Sequence, residues 1–105
     1  MSAATERALR RDIVETSLEM ERLGINQGTS GNVSARLGDG FLITPSGVPA
    51  RELREDSIVW LSLDVADDAD VLREKRPSSE WRIHRDILRA AGRSTVLQDA
   101  ARCSW

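Results

Sequence analysis

The order helix, short strands, helix predicts an α/β or α+β layer structure for this chain. Three observations carry that reading. Residues Thr5 to Leu23 have helical periodicity, a cluster of short alternating runs separated by glycine turns follows, and a second helical pattern begins after Pro77.

In the first helix Leu9, Ile13, Ser17, Met20 and Leu23 recur at spacings of three or four, while Glu6, Arg10, Arg11, Glu15 and Arg22 cover the rest. Gly24 is the expected stop, because glycine readily takes the left-handed conformation that ends helices. Gly28-Thr29-Ser30-Gly31 reads as a turn. In Asn32 to Leu37, Val33, Ala35 and Leu37 share one face of a strand. Gly38-Asp39-Gly40 signals a hairpin, and Phe41 to Thr44 is the returning strand. Pro45 and Gly47 break the sheet into a loop that ends near Pro49.

A polar turn over Arg51 to Asp56 leads into Ser57 to Leu63, read as a buried strand. Asp64 to Asp70 is read as a solvated loop and Val71-Leu72 as a short edge strand. Pro77-Ser78-Ser79-Glu80-Trp81 opens the second helix with a serine cap. Trp81, Ile83, Ile87 and Leu88 give it an apolar face, and Gly92 ends it.

With 105 residues the chain holds one domain with a modest core. Hydrophobic residues at 40% and charged residues at 30% match an ordinary globular composition. The 15 basic and 17 acidic residues are interspersed, so no basic stripe suggests a nucleic-acid partner. No run approaches the roughly 20 apolar residues that span a bilayer, and the charged N-terminus does not read as a secretory signal. Cys103 is the single cysteine, which suits a reducing cytoplasm and excludes an internal disulfide. The Asn32-Val33-Ser34 sequon is therefore read as chance.

Three segments could carry chemistry. Gly28-Thr29-Ser30-Gly31-Asn32 combines close backbone approach with hydroxyl and amide donors. Thr44-Pro45-Ser46-Gly47 sets a hydroxyl beside a glycine in a stiff turn. Ser78-Ser79-Glu80 places two hydroxyls and the amides of a helix N-terminus where an anion would be stabilised. Each segment alone reads first as a turn or a cap. Glu80 complements a helix dipole in one reading and moves a proton in the other.

Taken together, four runs in order resemble the class II aldolase/adducin family, and within it the fuculose-phosphate aldolases. They are Leu18 to Thr29, Gly31 to Arg36, Ile43 to Pro49 and Pro77 to His84, and the resemblance covers about Asp12 to Arg89. It implies a partial class II aldolase/adducin domain of α/β class over residues 1–92, with αβα layers, a small mostly antiparallel sheet and an open sheet edge. It implies that Asn32, Ser46, Gly47, Ser78 and Ser79 bind a substrate phosphate, and these residues are therefore expected to converge. It makes Glu80 the catalytic acid/base, and glutamate there favours the aldolase over the epimerase branch.

The implied lineage reaction is reversible cleavage of a ketose 1-phosphate to dihydroxyacetone phosphate and an aldehyde. In the family it depends on zinc held by three histidines and takes place in a homotetramer. The small-molecule partner is a sugar phosphate. Adducin shares the fold without catalysis, so a binding module or an inert fragment is the alternative.

The zinc histidines are the main departure. A His-x-His pair is expected soon after Arg93, but the sequence reads Ser94 to Trp105 with no histidine. His84, four residues after Glu80, matches a family position that is not a ligand. No metal ligand is therefore assigned in this chain, which is expected to be inactive alone. Arginine outnumbers lysine fourteen to one, a bias of GC-rich coding, and the Arg, Ala, Ser, Cys and Trp of the tail are what out-of-frame reading of such DNA yields. Residues 93–105 are read as a divergent, disordered tail left by a frameshift or a truncated gene model, the alternative being a short natural variant with its own tail.

Overall fold

The computed structural model describes residues 3–24, 32–64, 76–78, 81–90, 95–98 and 103–104. Helix α1 spans Ala3–Arg22, β1 Asn32–Leu37, β2 Gly40–Ile43 and β3 Val59–Ser62, helix α2 spans Trp81–Ala90, and β4 is Thr95–Gln98 and β5 Cys103–Ser104. Two 3₁₀ turns, Ala50–Glu52 and Glu55–Ser57, occupy the polar stretch before β3. The strands form one antiparallel sheet in the order β3-β2-β1-β4-β5.

The alternation of β1 decides which helix covers which face. Successive side chains on a strand point to opposite sides. Val33, Ala35 and Leu37 join Leu42, Ile58 and the α1 residues Ile13 and Met20 in one apolar cluster. On the other side, Phe41, Ile43, Val59, Leu61 and Leu63 pack with Trp81 and Leu88 of α2. The sheet thus lies between two helices, which is the αβα layering. Phe41, Leu42 and Ile43 are fully buried, each worth about 1.5–3 kcal/mol of transfer free energy.

Helix α1 follows its predicted stripe except at the end, where Leu23 is 57% exposed. Gly24 stops it with φ +76, and its N–H bonds to the Glu21 carbonyl at 3.1 Å. Arg10 ties α1 to the approach to β3. Its guanidinium bonds to the carbonyls of Glu55 at 2.9 Å and Ile58 at 2.6 Å, and to the Glu6 carboxylate at 2.9 Å. In α2, Trp81 and Leu88 are buried and Ile87 packs at the margin of the core, but Ile83 is exposed.

Within the stretch 93–105, read as a disordered tail, the described residues form strands: Thr95–Gln98 pairs along β1, with Ala35 opposite Thr95 and Asn32 opposite Gln98. Cys103–Ser104 pairs in turn with β4. The physical reason lies in Thr95-Val96-Leu97, a β-prone run beside a strand whose second edge needs partners. The predicted strand Val71-Leu72 and the loop 65–70 lie outside the described residues.

Gly40 opens β2 because nothing larger fits. A Cβ there would lie 2.3 Å from both the Leu61 carbonyl oxygen and the Trp60 ring. The indole is held in place by its Nε1–H, which donates to the Leu37 carbonyl at 3.3 Å. Gly40→Ala is therefore expected to lower stability by about 1–3 kcal/mol. A urea denaturation series should show a lower midpoint at unchanged slope, and a midpoint equal to the wild type would contradict the close approach.

Candidate functional site

The described candidate residues, Asn32, Ser46, Gly47 and Ser78, gather at the sheet end where β1 begins and β2 finishes. Thr44, just past β2, binds in two directions there. Its N–H donates to the Val33 carbonyl at 3.1 Å, and its hydroxyl accepts the Val33 N–H at 3.2 Å. Its own carbonyl accepts the Ser78 N–H at 2.9 Å, while the Ser46 N–H donates to the Arg76 carbonyl at 2.9 Å. These last two bonds flank an antiparallel bridge between Pro45 and Pro77. Proline has no N–H to donate, so the two prolines face each other at a non-bonded position while their neighbours make the bonds.

The contacts close into a ring. The Trp81 N–H donates to the Ser78 carbonyl at 3.0 Å, which ties α2 to the same junction. One turn into α2, the His84 Nε2 contacts the Asn32 Oδ1, and its Nδ1 lies 2.6 Å from the Ser34 Oγ. The path from Asn32 and Val33 runs through Thr44, Ser78 and Trp81 to His84 and back to Asn32. Sequence separations of up to 52 residues are thereby closed at one place.

Asn32 and Ser78 are buried, whereas Ser46 and Gly47 are exposed in the turn. Gly47 has φ +73 and no atom within 4 Å of where a Cβ would stand, so conformation rather than crowding calls for glycine. Arg76 also has a positive φ of 50, a strained value for a non-glycine residue at the segment that delivers Ser78. The structure thus brings the segments of Asn32, Ser46, Gly47 and Ser78 together. Ser79, Glu80 and the Gly28 to Gly31 turn lie outside the described residues.

Two refinements follow. The sequence offered free amides at the start of α2 to an anion, but the Ser78 and Trp81 amides there are bound to protein carbonyls. Sequence reasoning also passed over Ser34 and the structural use of His84. The signal was available: Asn32 and Ser34 share the β1 face opposite Val33 and Ala35, and His84 falls on the α2 face marked by Trp81 and Leu88. Among the described residues no three of His, Cys, Asp and Glu are grouped to hold a metal ion. His84, the single histidine, has both ring nitrogens directed at protein oxygens.

Residues 11–97 match the model of the class II aldolase and adducin N-terminal domain. The chain belongs to the class II aldolase and adducin family. The match extends into β4, past the boundary at residue 92 expected from the motifs. The chain is 53% identical over 78 residues to an L-fuculose phosphate aldolase of Escherichia coli, covering 72% of this chain and 34% of that one. It is 44% identical over 81 residues to the 5-methylthioribulose-1-phosphate/5-deoxyribulose-1-phosphate aldolase of Rhodospirillum rubrum, covering 77% of this chain and 35% of the relative. It thus spans about a third of the length of these relatives. The crystal structure of an L-fuculose-1-phosphate aldolase from Thermus thermophilus superposes with a TM-score of 0.75 at 26% identity, over 89% of this chain and 47% of that one. No helix among the described residues is long and apolar enough to cross a membrane.

The double role of Thr44 gives a direct test of the junction. Thr44→Val keeps the shape but leaves the Val33 N–H without its hydroxyl acceptor. It is expected to cost about 1–3 kcal/mol and to speed hydrogen exchange at the Val33 amide. Unchanged exchange there would show that the hydroxyl holds nothing.

Proposed function

We propose that this chain binds the phosphate of a sugar phosphate through Asn32, Ser46, Gly47, Ser78 and Ser79. In the same reading Glu80 stands at the acid/base position of a class II aldolase site, whose lineage reaction is cleavage of a ketose 1-phosphate to dihydroxyacetone phosphate and an aldehyde, and this chain does not turn over alone. The observation that carries the reading is the ring of hydrogen bonds through Thr44, which joins the segments of Asn32, Ser46 and Ser78. Two sugar-phosphate aldolases among the relatives support it. Hydroxyl and side-chain amide donors suit a phosphate because hydrogen bonds to a charged acceptor are the stronger kind. A carboxylate beside the bound substrate suits transfer of a proton at carbon.

The test is a titration of the full chain with inorganic phosphate and then with L-fuculose 1-phosphate, followed by ¹H–¹⁵N NMR. The Ser46, Gly47 and Ser78 amides and the Asn32 side-chain amide should shift together, with the sugar phosphate displacing inorganic phosphate. Shifts scattered over the surface arginines, with none at these groups, would refute the reading.

The zinc that the resemblance implies is not matched by the described residues. A catalytic zinc takes three protein ligands, and the one imidazole is already bonded to Asn32 and Ser34. No step through zinc is therefore assigned to this chain. This favours, as a second reading, a binding module without turnover, as in adducin. The dialysed chain is expected to retain well under one zinc per chain and to cleave no L-fuculose 1-phosphate when zinc is added back. Near-stoichiometric zinc with turnover would overturn that expectation.

A further inference from the structure

We propose that His84 is a positioning residue for the phosphate site, acting by fixing which end of the Asn32 side chain faces the ligand. The proposal rests on the phosphate-binding reading above and adds a residue to it.

An asparagine side chain has a carbonyl that accepts and an NH₂ that donates. Only the NH₂ end can serve a phosphate, and the two ends are nearly the same size. Packing alone therefore does not choose between them. A hydrogen bond from a fixed donor does. The His84 Nε2 contacts the Asn32 Oδ1. That oxygen can only accept, so Nε2 must carry the proton. In the neutral ring Nδ1 is then the acceptor, and the Ser34 hydroxyl donates to it at 2.6 Å. The Ser34 hydroxyl, which can donate or accept, follows the tautomer that Nε2 and Asn32 Oδ1 share, and the Asn32 NH₂ is turned away from the imidazole.

The relay is held rigidly. His84 and Ser34 are fully buried and Asn32 is 6% exposed, so water competes little for these bonds. Asn32 and Ser34 stand two residues apart on the central strand, anchored by β2 on one side and β4 on the other. His84 sits on α2, the helix that the Ser78 carbonyl receives at Trp81.

Exchange of the ring for a shorter or longer amide separates positioning from support. His84→Gln can keep a donor near the Nε2 position, and His84→Asn can keep a group near Nδ1 while losing the reach to Asn32. Phosphate binding is expected to stay near wild type in His84→Gln. In His84→Asn it should weaken roughly ten- to hundredfold, the loss of one oriented bond to a charged acceptor. A merely structural role predicts equal behaviour of the two variants once both are shown to be folded by their amide spectra.

The unmutated chain gives an independent readout. Long-range ¹H–¹⁵N correlation of the ring should report the Nε2–H tautomer without any ligand. An Nδ1–H tautomer would reverse the Asn32 amide and overturn the proposal, whether or not either variant folds. Phosphate binding by the wild type with no difference between Gln and Asn variants would also overturn it, leaving the phosphate site intact. Absence of phosphate shifts at Asn32, Ser46 and Gly47 in the wild type would overturn the phosphate reading itself, and the proposal with it.

Discussion

Asn32 and Ser34 are polar side chains on the face of a central strand, and α2 closes over that face. Buried polar groups cost free energy unless they are hydrogen-bonded, and the imidazole of His84 answers both. This one contact binds helix to sheet across 50 and 52 residues of sequence. It fixes the rotation of α2 about its axis, and with it which residues of the helix meet the core. Trp81 and Leu88, three residues before and four after His84, are thereby directed at Phe41 and Leu61. Beside the ring, Arg82 and Arg85 lie with their guanidinium carbons 4.6 Å and 5.1 Å from the Trp81 centroid, covering indole surface with stacked cations.

The other face of the sheet is held by apolar burial with a polar tie at Arg10. Ile13 and Met20 of α1 meet Val33, Ala35 and Leu37, and Arg10 fastens the helix to carbonyls near β3. The two faces divide the work. The α1 side supplies non-directional burial, which tolerates small shifts. The α2 side adds to its own apolar cluster the directional bonds of His84, which do not. A candidate site that needs donors at fixed positions belongs beside the second, and the Thr44 junction lies there. The paired prolines 45 and 77 stiffen that junction, since each has its φ locked and their neighbours are bonded to each other.

Much of this was legible in the residues themselves. Alternation placed Val33, Ala35 and Leu37 on one face, Gly38-Asp39-Gly40 marked the hairpin, and Gly24 marked the left-handed stop of α1. Each of these is a local constraint, set by side-chain period or by backbone sterics within a few residues. The motif order identified the family for the same reason, because it depends on short runs and not on their arrangement in space.

What the sequence determined alone was therefore the kind of α1, β1 to β3 and α2, most of the residues on their apolar faces and the family to which the runs belong. Tertiary structure decided the rest. It turned Thr95–Gln98 from an apparent tail into a strand, because the open side of β1 offered unpaired backbone groups. It took the Ser78 and Trp81 amides away from an anion and gave them to carbonyls. It also changed His84 from a bystander near Glu80 into the partner of Asn32 and Ser34. Each of these depends on which distant groups are brought within hydrogen-bond reach, and a hydrogen bond between residues 50 positions apart leaves no period in the sequence to read.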